Sequence, residues 1–275
     1  MRVDSVLINS YQNMVRSGHN PVRPAVPAAS FVQIKAKRAL LLAREIVEDI
    51  ESNAQGPGDR LPHEHAMLAR YDVARATLRE ALRFLELQGV IHLAPGRGGG
   101  PVITRPQTAD FASSMALVLQ FMDTDLRALL ELREAVAPMV AARAAEMATV
   151  ADLAALEDCL AQLERERDGP GFEETNRRFH DLLGWASGNP AFGLLVSALH
   201  LLTRSMSVGL GYSVQERDAQ LRCLGRVLHA VRMRDAVGAR RQMERLIDGS
   251  TRYLAERSPD LLAQKVRWGD ASRET

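Results

Sequence analysis

The 275-residue sequence lacks several features that mark specialised protein classes. Its two cysteines, Cys159 and Cys223, match no zinc-binding spacing, which excludes a disulfide-rich or zinc-finger architecture. No apolar run reaches the roughly 20 residues of a membrane span, and residues 1–30 lack a signal-peptide core. We therefore expect a cytoplasmic protein with no membrane partner and with two buried thiols; redox sensing by these thiols is the alternative.

The sequence also lacks an excess of charge of either sign and is poor in aromatic residues. Lys and Arg number 35 against 34 Asp and Glu, so a net charge of +1 gives no overall signal for nucleic acid binding. Aromatic residues make up 5% of the chain and hydrophobic residues 46%, a composition typical of helical proteins. The length predicts about two domains.

The segment from Gly58 to Thr104 has the pattern of a winged helix-turn-helix. Residues 64–71 predict a short helix, and residues 74–88 predict a second helix whose apolar residues recur at spacings of three and four. Two short β-rich runs then flank a glycine-rich tip, which predicts a hairpin. In this arrangement the second helix enters the major groove of DNA, and the first helix braces it.

The glycine-rich tip, residues 96–100, has a second interpretation as a phosphate-binding nucleotide loop. Such a loop follows a strand and opens a helix. Here the sequence predicts no helix until well beyond Thr104. The wing is therefore the better interpretation, and Arg97 lies at its tip.

At these positions the chain resembles the DNA-binding domain of GntR-family transcription regulators. The residues that keep the family spacing are Gly58, Leu61-Pro62, Glu64, Leu68-Ala69, Val73-Ala74-Arg75, Leu78-Arg79-Glu80-Ala81-Leu82 and Gly96-Arg97-Gly98. The resemblance implies DNA contacts at His65, Arg75, Thr77, Arg79, Gly96 and Arg97. An arginine on the recognition helix can bind guanine O6 and N7 or clamp a phosphate.

Three positions depart from the family pattern. His63 and Ala74 stand where the family usually has a small hydroxyl residue that caps a helix, and losing such a cap costs about 1 kcal/mol. His65 stands where fatty-acid-responsive members have arginine, so a contact there would be weaker and pH-dependent. These departures leave the half-site sequence open.

Beyond Ala109 the sequence predicts only helices, separated by glycine, proline or asparagine. They span residues 111–121, 126–148, 150–168, 172–186, 191–209, 214–233 and 236–257. Pro138 should break or bend the second of them. The expected fold class is mainly α, with a winged helix-turn-helix and a small β-hairpin followed by an all-α antiparallel bundle. The expected segments are a flexible extension (1–30), the winged domain (31–106, beginning with a helix at 35–51), the helical domain (109–257) and a tail (258–275).

The helical half resembles the FCD effector-binding domain of the FadR subfamily of GntR regulators. The residues that carry this resemblance are Glu131-Leu132-Arg133, Phe179-His180, Ala186-Ser187-Gly188-Asn189, Ala230-Val231, Arg234-Asp235, Ala239 and Met243. The resemblance implies a helical bundle that binds an effector and forms a homodimer.

Candidate effector-binding residues are Arg133, Asn176, His180 and Arg204. Asn176 and His180 lie one helical turn apart, so both can reach one ligand. Arg133 aligns with a cavity-facing arginine of the subfamily; an ion pair with Glu131 or Glu134 is the alternative. Many FCD members hold a divalent metal with an Asp at the first of these positions, the His, and two later histidines. Here those positions hold Asn176, Leu224 and Leu246, a poor metal site.

These features predict a regulator, not an enzyme, that binds a double-stranded DNA operator of short inverted-repeat form as a homodimer. A small organic effector, either an acyl-CoA or a carboxylate, would modulate binding, and the missing metal ligands favour the acyl-CoA class. One alternative is an effector-blind DNA-binding protein whose helical domain only dimerises. The other is a metal-dependent FCD sensor.

Overall fold

The computed structural model describes residues 38–96, 99–206 and 213–272. The predicted extension at residues 1–30 and the wing-tip residues Arg97 and Gly98 lie outside these ranges. In chain order the described elements are α1 (Arg38–Ser52), α2 (Glu64–Tyr71), α3 (Arg75–Leu87), β1 (Ile91–Ala94), β2 (Gly100–Ile103), α4 (Thr108–Phe121), α5 (Leu126–Met147), α6 (Val150–Arg165), α7 (Phe172–Ala186), α8 (Pro190–Met206), α9 (Val214–Arg232), α10 (Ala236–Arg257), α11 (Pro259–Leu262) and a 3-10 helix (Trp268–Ser272).

One side of α3 packs into the core of the winged domain. The buried residues of this helix recur at spacings of three and four and are Leu78, Ala81, Leu82 and Leu85. They share a core with Ile46 of α1 and Met67 of α2. The strands β1 and β2 form an antiparallel hairpin in which Ile91 pairs with Ile103, and both face this core. The predicted winged helix-turn-helix is confirmed, and α3 is its second helix.

Gly89 of the winged domain packs closely against the residues around the start of α4. Its φ of +69° is one that glycine adopts readily. A Cβ there would collide with the Asp110 carboxylate and would lie 3.3 Å from Cα of Pro106. That carboxylate already accepts a hydrogen bond of 2.8 Å from the backbone N–H of Gln107, which begins α4. The junction between the domains therefore has no room for a side chain at this position.

The C-terminal half is helical, as the sequence predicts, and contains two apolar clusters. The larger cluster joins residues of α5, α6, α7, α9 and α10, with Phe172 and Phe179 fully buried. The smaller cluster joins α4, α5, α8 and the end of the chain through residues such as Leu129, Leu199 and Val266. The long helices α5 and α10 pack against each other and α7 packs against α8.

Pro138 does not break the helix that contains it. The helix α5 runs from Leu126 to Met147 with Pro138 inside it and buried. Of the two expected outcomes, a break at this position is therefore wrong, and a bend stays a prediction. Pro138 and the neighbouring Ala137 are both buried in the helical domain.

The residues after α10 differ from the tail expected from the sequence. The backbone N–H of Trp268 donates to Oε1 of Gln120 at 2.8 Å, and its indole N–H donates to Oγ of Ser113 at 2.9 Å. Val266 is fully buried. The last described residues are thus packed on α4 as part of the helical domain.

The two cysteines have different environments. Cys159 is buried, as expected, and its thiol donates to the carbonyl oxygen of Thr175 at 3.5 Å. Cys223 is only partly buried, so the expectation of a buried thiol is wrong there. In the described part of the chain, no helix is long and apolar enough to cross a membrane.

Candidate DNA-binding surface and effector site

Glu64, the first residue of α2, contacts two arginines of α3. Its Oε1 lies 3.1 Å from Nε of Arg75 and 3.3 Å from Nε of Arg79. The two arginine side chains remain 67% and 61% exposed. Residues four apart share one face of a helix. A single carboxylate therefore orients two exposed guanidinium groups on the solvent side of α3.

A groove of about 580 Å³ lies between α3 and the hairpin. His65, Arg79 and Arg83 line it, together with Gly99 and other residues of the hairpin. Arg83 is not among the DNA contacts that the family resemblance implies, although its spacing of four from Arg79 places it on the same face of α3. The exposed side of α3 thus carries arginines on three successive turns.

The remaining predicted DNA contacts have mixed surroundings. His65 is exposed and Thr77 is partly buried. Gly96 has φ +96° and nothing within 4 Å of the position of a Cβ. Arg97, the other predicted contact of the wing, lies outside the described residues.

The residues before α2 and α3 do not cap these helices with a side chain, as their residue types predict. Neither His63, before α2, nor Ala74, before α3, provides a side-chain hydrogen bond to the helix that follows. The first backbone N–H groups of both helices therefore lack a capping side chain and remain available to an acceptor outside the helix.

In the helical domain, α7 and α8 bring two buried histidines together. The rings of His180 and His200 have centroids 5.5 Å apart, and both residues are 5% exposed. Nδ1 of His200 lies 2.7 Å from Oδ1 of Asp181. No hydrogen bond to His180 is found within residues 38–96, 99–206 and 213–272. His200 is not among the residues that the sequence predicts for the effector site, because its apolar neighbours give no sign of this pairing.

Both histidines are neutral at neutral pH. Burial holds the pKa of His180 well below its ordinary value, and the positive charge of Arg133 acts in the same direction. Burial also lowers the pKa of His200, although the hydrogen bond to Asp181 opposes this shift. The charge of Arg133 on α5 acts on both rings, so two of the predicted effector residues, Arg133 and His180, interact electrostatically.

A polar cleft of about 380 Å³ opens beside His200. His200 and Asp181 line it together with two arginines, Arg177 and Arg204. Both arginines are paired with the exposed Glu174, Arg204 at 3.5 Å. The opposite wall consists of residues 107–109, the start of α4. The cleft therefore adjoins the segment that connects the helical domain to the winged domain.

Of the four predicted effector residues, Arg204 lines the cleft, whereas Arg133, Asn176 and His180 do not. Asn176 is partly buried on α7, one turn before His180. His200 and Arg177, which the sequence did not single out as effector residues, do line the cleft.

Comparison with known proteins gives one family match in each half of the chain. The family described as bacterial regulatory proteins, gntR family, matches residues 39–99. The FCD domain family matches residues 128–249. Both matches fall on the regions that the sequence motifs indicate.

This chain is a GntR-type DNA-binding transcription regulator with an FCD domain.

The relatives of this GntR-type regulator are themselves regulators. The HTH-type transcriptional regulator LutR of Bacillus subtilis (strain 168) is 30% identical over 141 residues, which cover 51% of this chain and 64% of LutR, just under two thirds. The galactonate operon transcriptional repressor of Escherichia coli (strain K12) is 28% identical over 212 residues, covering 73% of this chain and 89% of the repressor. These relatives confirm the predicted function class, a regulator and not an enzyme. The assignment to the FadR subfamily stays a prediction.

A solved structure agrees with the fold. The structure titled Streptococcus agalactiae GntR superposes with a TM-score of 0.62 at 22% identity and covers 78% of this chain and 99% of its own. At this identity the similarity supports the fold of the GntR-type regulator and nothing about its ligand.

Several FCD motif residues of this GntR-type regulator hold the fold together. The guanidinium of Arg234 donates to the carbonyl oxygens of Ala145 and Ala148, at 3.2 and 2.6 Å, near the C-terminus of α5. Oδ1 of Asp235 accepts a 2.8 Å hydrogen bond from the backbone N–H of Gly238 and so caps α10. This motif therefore connects the ends of two helices.

The residues do not fit the divalent metal of other FCD domains. Leu224 is fully buried and Leu246 is 5% exposed, and both belong to the larger apolar cluster. Their side chains cannot replace the two missing histidine ligands. Among the described residues, no group of three His, Cys, Asp or Glu side chains is arranged to hold a metal.

Proposed function

We propose that this regulator binds a short inverted-repeat operator as a homodimer, and that a small carboxylate bound in its helical domain changes operator affinity. The observation that supports the DNA half is the contact of Glu64 with both Arg75 and Arg79 on the exposed side of α3. Fixed guanidinium groups bind base edges with little loss of side-chain entropy. The operator contacts are then Arg75, Thr77, Arg79, His65 and, on the wing, Gly96 and Arg97.

The effector half rests on the environment of His180 and its neighbours. A neutral buried imidazole without a partner among the described residues can bind a ligand hydroxyl or carboxyl group. Arg133 adds a positive charge next to it, and Arg204 provides another at the cleft. Guanidinium groups bind carboxylates bidentately.

Size and polarity favour a small carboxylate over an acyl-CoA. A cleft of about 380 Å³ lies at the small end of the range for ligand sites, and its wall carries two arginines, an aspartate and a histidine. One relative is the repressor of a galactonate operon, and galactonate is a small polar carboxylate. We therefore place sugar acids and related hydroxy acids first.

The position of the cleft suggests how a ligand acts on DNA binding. Residues 107–109 form one wall of the cleft and connect it directly to the winged domain. A ligand that contacts this wall more favourably in one arrangement of the domains shifts the population toward that arrangement. Operator affinity then changes, because the two arrangements of the domains bind the operator with different affinities.

Arginine substitutions test the DNA half. Arg79→Ala should weaken operator binding by about 1 to 3 kcal/mol if the guanidinium binds a base bidentately. Arg44→Ala removes the same charge from an exposed site on α1 and serves as the matched control. Equal losses in the two variants, measured by fluorescence anisotropy, would contradict a specific contact at Arg79.

Calorimetry tests the effector half. Titration of the full chain with D-galactonate, other sugar acids, small hydroxy acids and an acyl-CoA should give binding heat for a small carboxylate. Arg133→Ala and Arg204→Gln should weaken that binding and leave operator affinity unchanged, whereas Arg252→Gln, on α10 outside the cleft, should not alter either. Heat with acyl-CoA alone would favour the other effector class, and no heat with any compound would favour a helical domain that only dimerises.

A further inference from the structure

A second cleft lies between α9 and α10. Its volume is about 150 Å³, enough for a molecule the size of a substituted benzene ring. Its wall includes Gln220 and Cys223 of α9 and Arg245, Leu246 and Tyr253 of α10. None of its lining residues belongs to α7 or α8, which carry the two paired histidines. The cleft is therefore separate from the effector site proposed above.

Gln220 gives this cleft a polar group that lacks a partner. The side chain is 8% exposed, and its Oε1 has no hydrogen-bond partner in the part of the chain that the structure describes. Folded proteins rarely keep a buried polar atom unpaired without a water or a ligand. Because this amide lines the cleft, a molecule in the cleft can pair with it.

One positive charge at the cleft is available to an anionic ligand. Arg245 is exposed, and among the described residues no ion pair involves it. The carboxylate of Glu216 also lies at the cleft, but it is held at the N-terminus of α9 by a 2.6 Å hydrogen bond from the backbone N–H of Ser213, where the partial positive charge of the helix end offsets its own charge. The rest of the wall is mainly apolar, with Leu246 and Ala219 among its residues.

We propose that the cleft between α9 and α10 is a binding site for a small, largely apolar carboxylate that also carries a hydroxyl group. The hydroxyl donates to Oε1 of Gln220, the carboxylate pairs with Arg245, and the apolar body covers Leu246. Cys223 lies on the same wall, so a bound molecule shields its thiol. This site does not depend on the function proposed for the cluster around His180.

Alkylation of Cys223 by iodoacetamide in the full chain reports occupancy. The probe is 4-hydroxybenzoate, with benzoate and phenol as analogues that each lack one of its two polar groups. At saturation 4-hydroxybenzoate should slow alkylation of Cys223 by about tenfold, because a molecule in the cleft blocks the approach of iodoacetamide to the thiolate. Cys159 is the other cysteine of the chain and is 2% exposed, so it provides an internal control.

The analogues and two variants separate the contribution of the hydroxyl group from that of the carboxylate. Benzoate, which lacks the hydroxyl, and phenol, which lacks the carboxylate, should each need an about tenfold higher concentration than 4-hydroxybenzoate to halve the alkylation rate. Gln220→Leu should remove the advantage of 4-hydroxybenzoate over benzoate, and circular dichroism should show an unchanged fold. Arg245→Gln should weaken both carboxylates but not phenol, and Arg252→Gln on the same helix should match the wild type.

Two results would overturn the proposal. The first is alkylation of Cys223 that none of the three probes slows at millimolar concentration, which would mean that water alone pairs with Gln220. The second is the same preference for 4-hydroxybenzoate in Gln220→Leu as in the wild type, which would place its hydroxyl elsewhere.

Discussion

Glu64 holds Arg79 across the helix-turn-helix, with Oε1 of the carboxylate 3.3 Å from Nε of the guanidinium. The same oxygen lies 3.1 Å from Nε of Arg75. The Glu64 side chain as a whole is 38% exposed, so the attraction is partly screened by solvent and the arginines can be shared with DNA. Glu64 therefore orients the two arginines at the cost of partly neutralising them.

Replacing Glu64 separates these two effects. Glu64→Gln removes a negative charge next to the DNA surface, so binding to a scrambled duplex should tighten at low salt. Preference for the operator should fall, because the arginines lose the group that orients them. Fluorescence anisotropy with operator and scrambled duplexes measures both quantities. Glu48→Gln, an exposed change on α1, is the control, and an unchanged operator preference in Glu64→Gln would show that the contact has no orienting role.

Gly89 tests the junction between the domains. Gly89→Ala should lower the free energy of unfolding by about 1 to 3 kcal/mol, because alanine is strained at φ +69° and its Cβ collides with the Asp110 carboxylate. Gly249→Ala on α10 is the matched control: nothing lies within 4 Å of its Cβ position, and helix propensity predicts a gain of up to about 1 kcal/mol. Urea unfolding measures both. Equal stability of the two variants would contradict the described junction.

The paired histidines predict a loss of stability in acid. The pKa values of His180 and His200 are lowered in the folded protein, so below the ordinary value near 6.5 the unfolded chain binds more protons. Stability is thus complete above that pH and falls below it, by up to about 1.4 kcal/mol per pH unit for each histidine. Thermal unfolding between about pH 7.5 and pH 5.5 measures the effect.

His180→Gln provides the control for this pH dependence. It removes one titrating group and keeps a polar side chain of similar size, so the slope of stability against pH should be shallower than in the wild type. A wild-type transition temperature that does not change over this range would contradict the burial of the two rings.

Much of the fold could be predicted because local patterns and tertiary packing agree. The apolar spacing of α3 matches its buried face, and the two β-rich runs form the predicted hairpin. Pro138 shows where local rules fail, since α5 continues through it. Trp268 shows another limit, because the short segment after α10 packs through contacts with α4 that no local pattern predicts.

The positions of candidate site residues could be predicted where a motif fixes them, and their contacts with DNA or an effector stay predictions. Arg75 and Arg79 belong to the GntR pattern, but their shared partner Glu64 became apparent only when α2 and α3 were placed together. His200 lies in an apolar stretch of α8, and its pairing with Asp181 is a contact between helices. Sequence spacing within one helix cannot predict such a contact.

The most direct test of the central claim is a titration of the full chain onto a duplex that carries the DNA upstream of its own gene. The titration is repeated with sugar acids, hydroxy acids, an acyl-CoA and divalent metals. The account predicts two chains per duplex, a strong preference over a scrambled duplex, and an affinity that one small carboxylate changes. Binding that is the same for both duplexes, or that none of the added compounds alters, would contradict it.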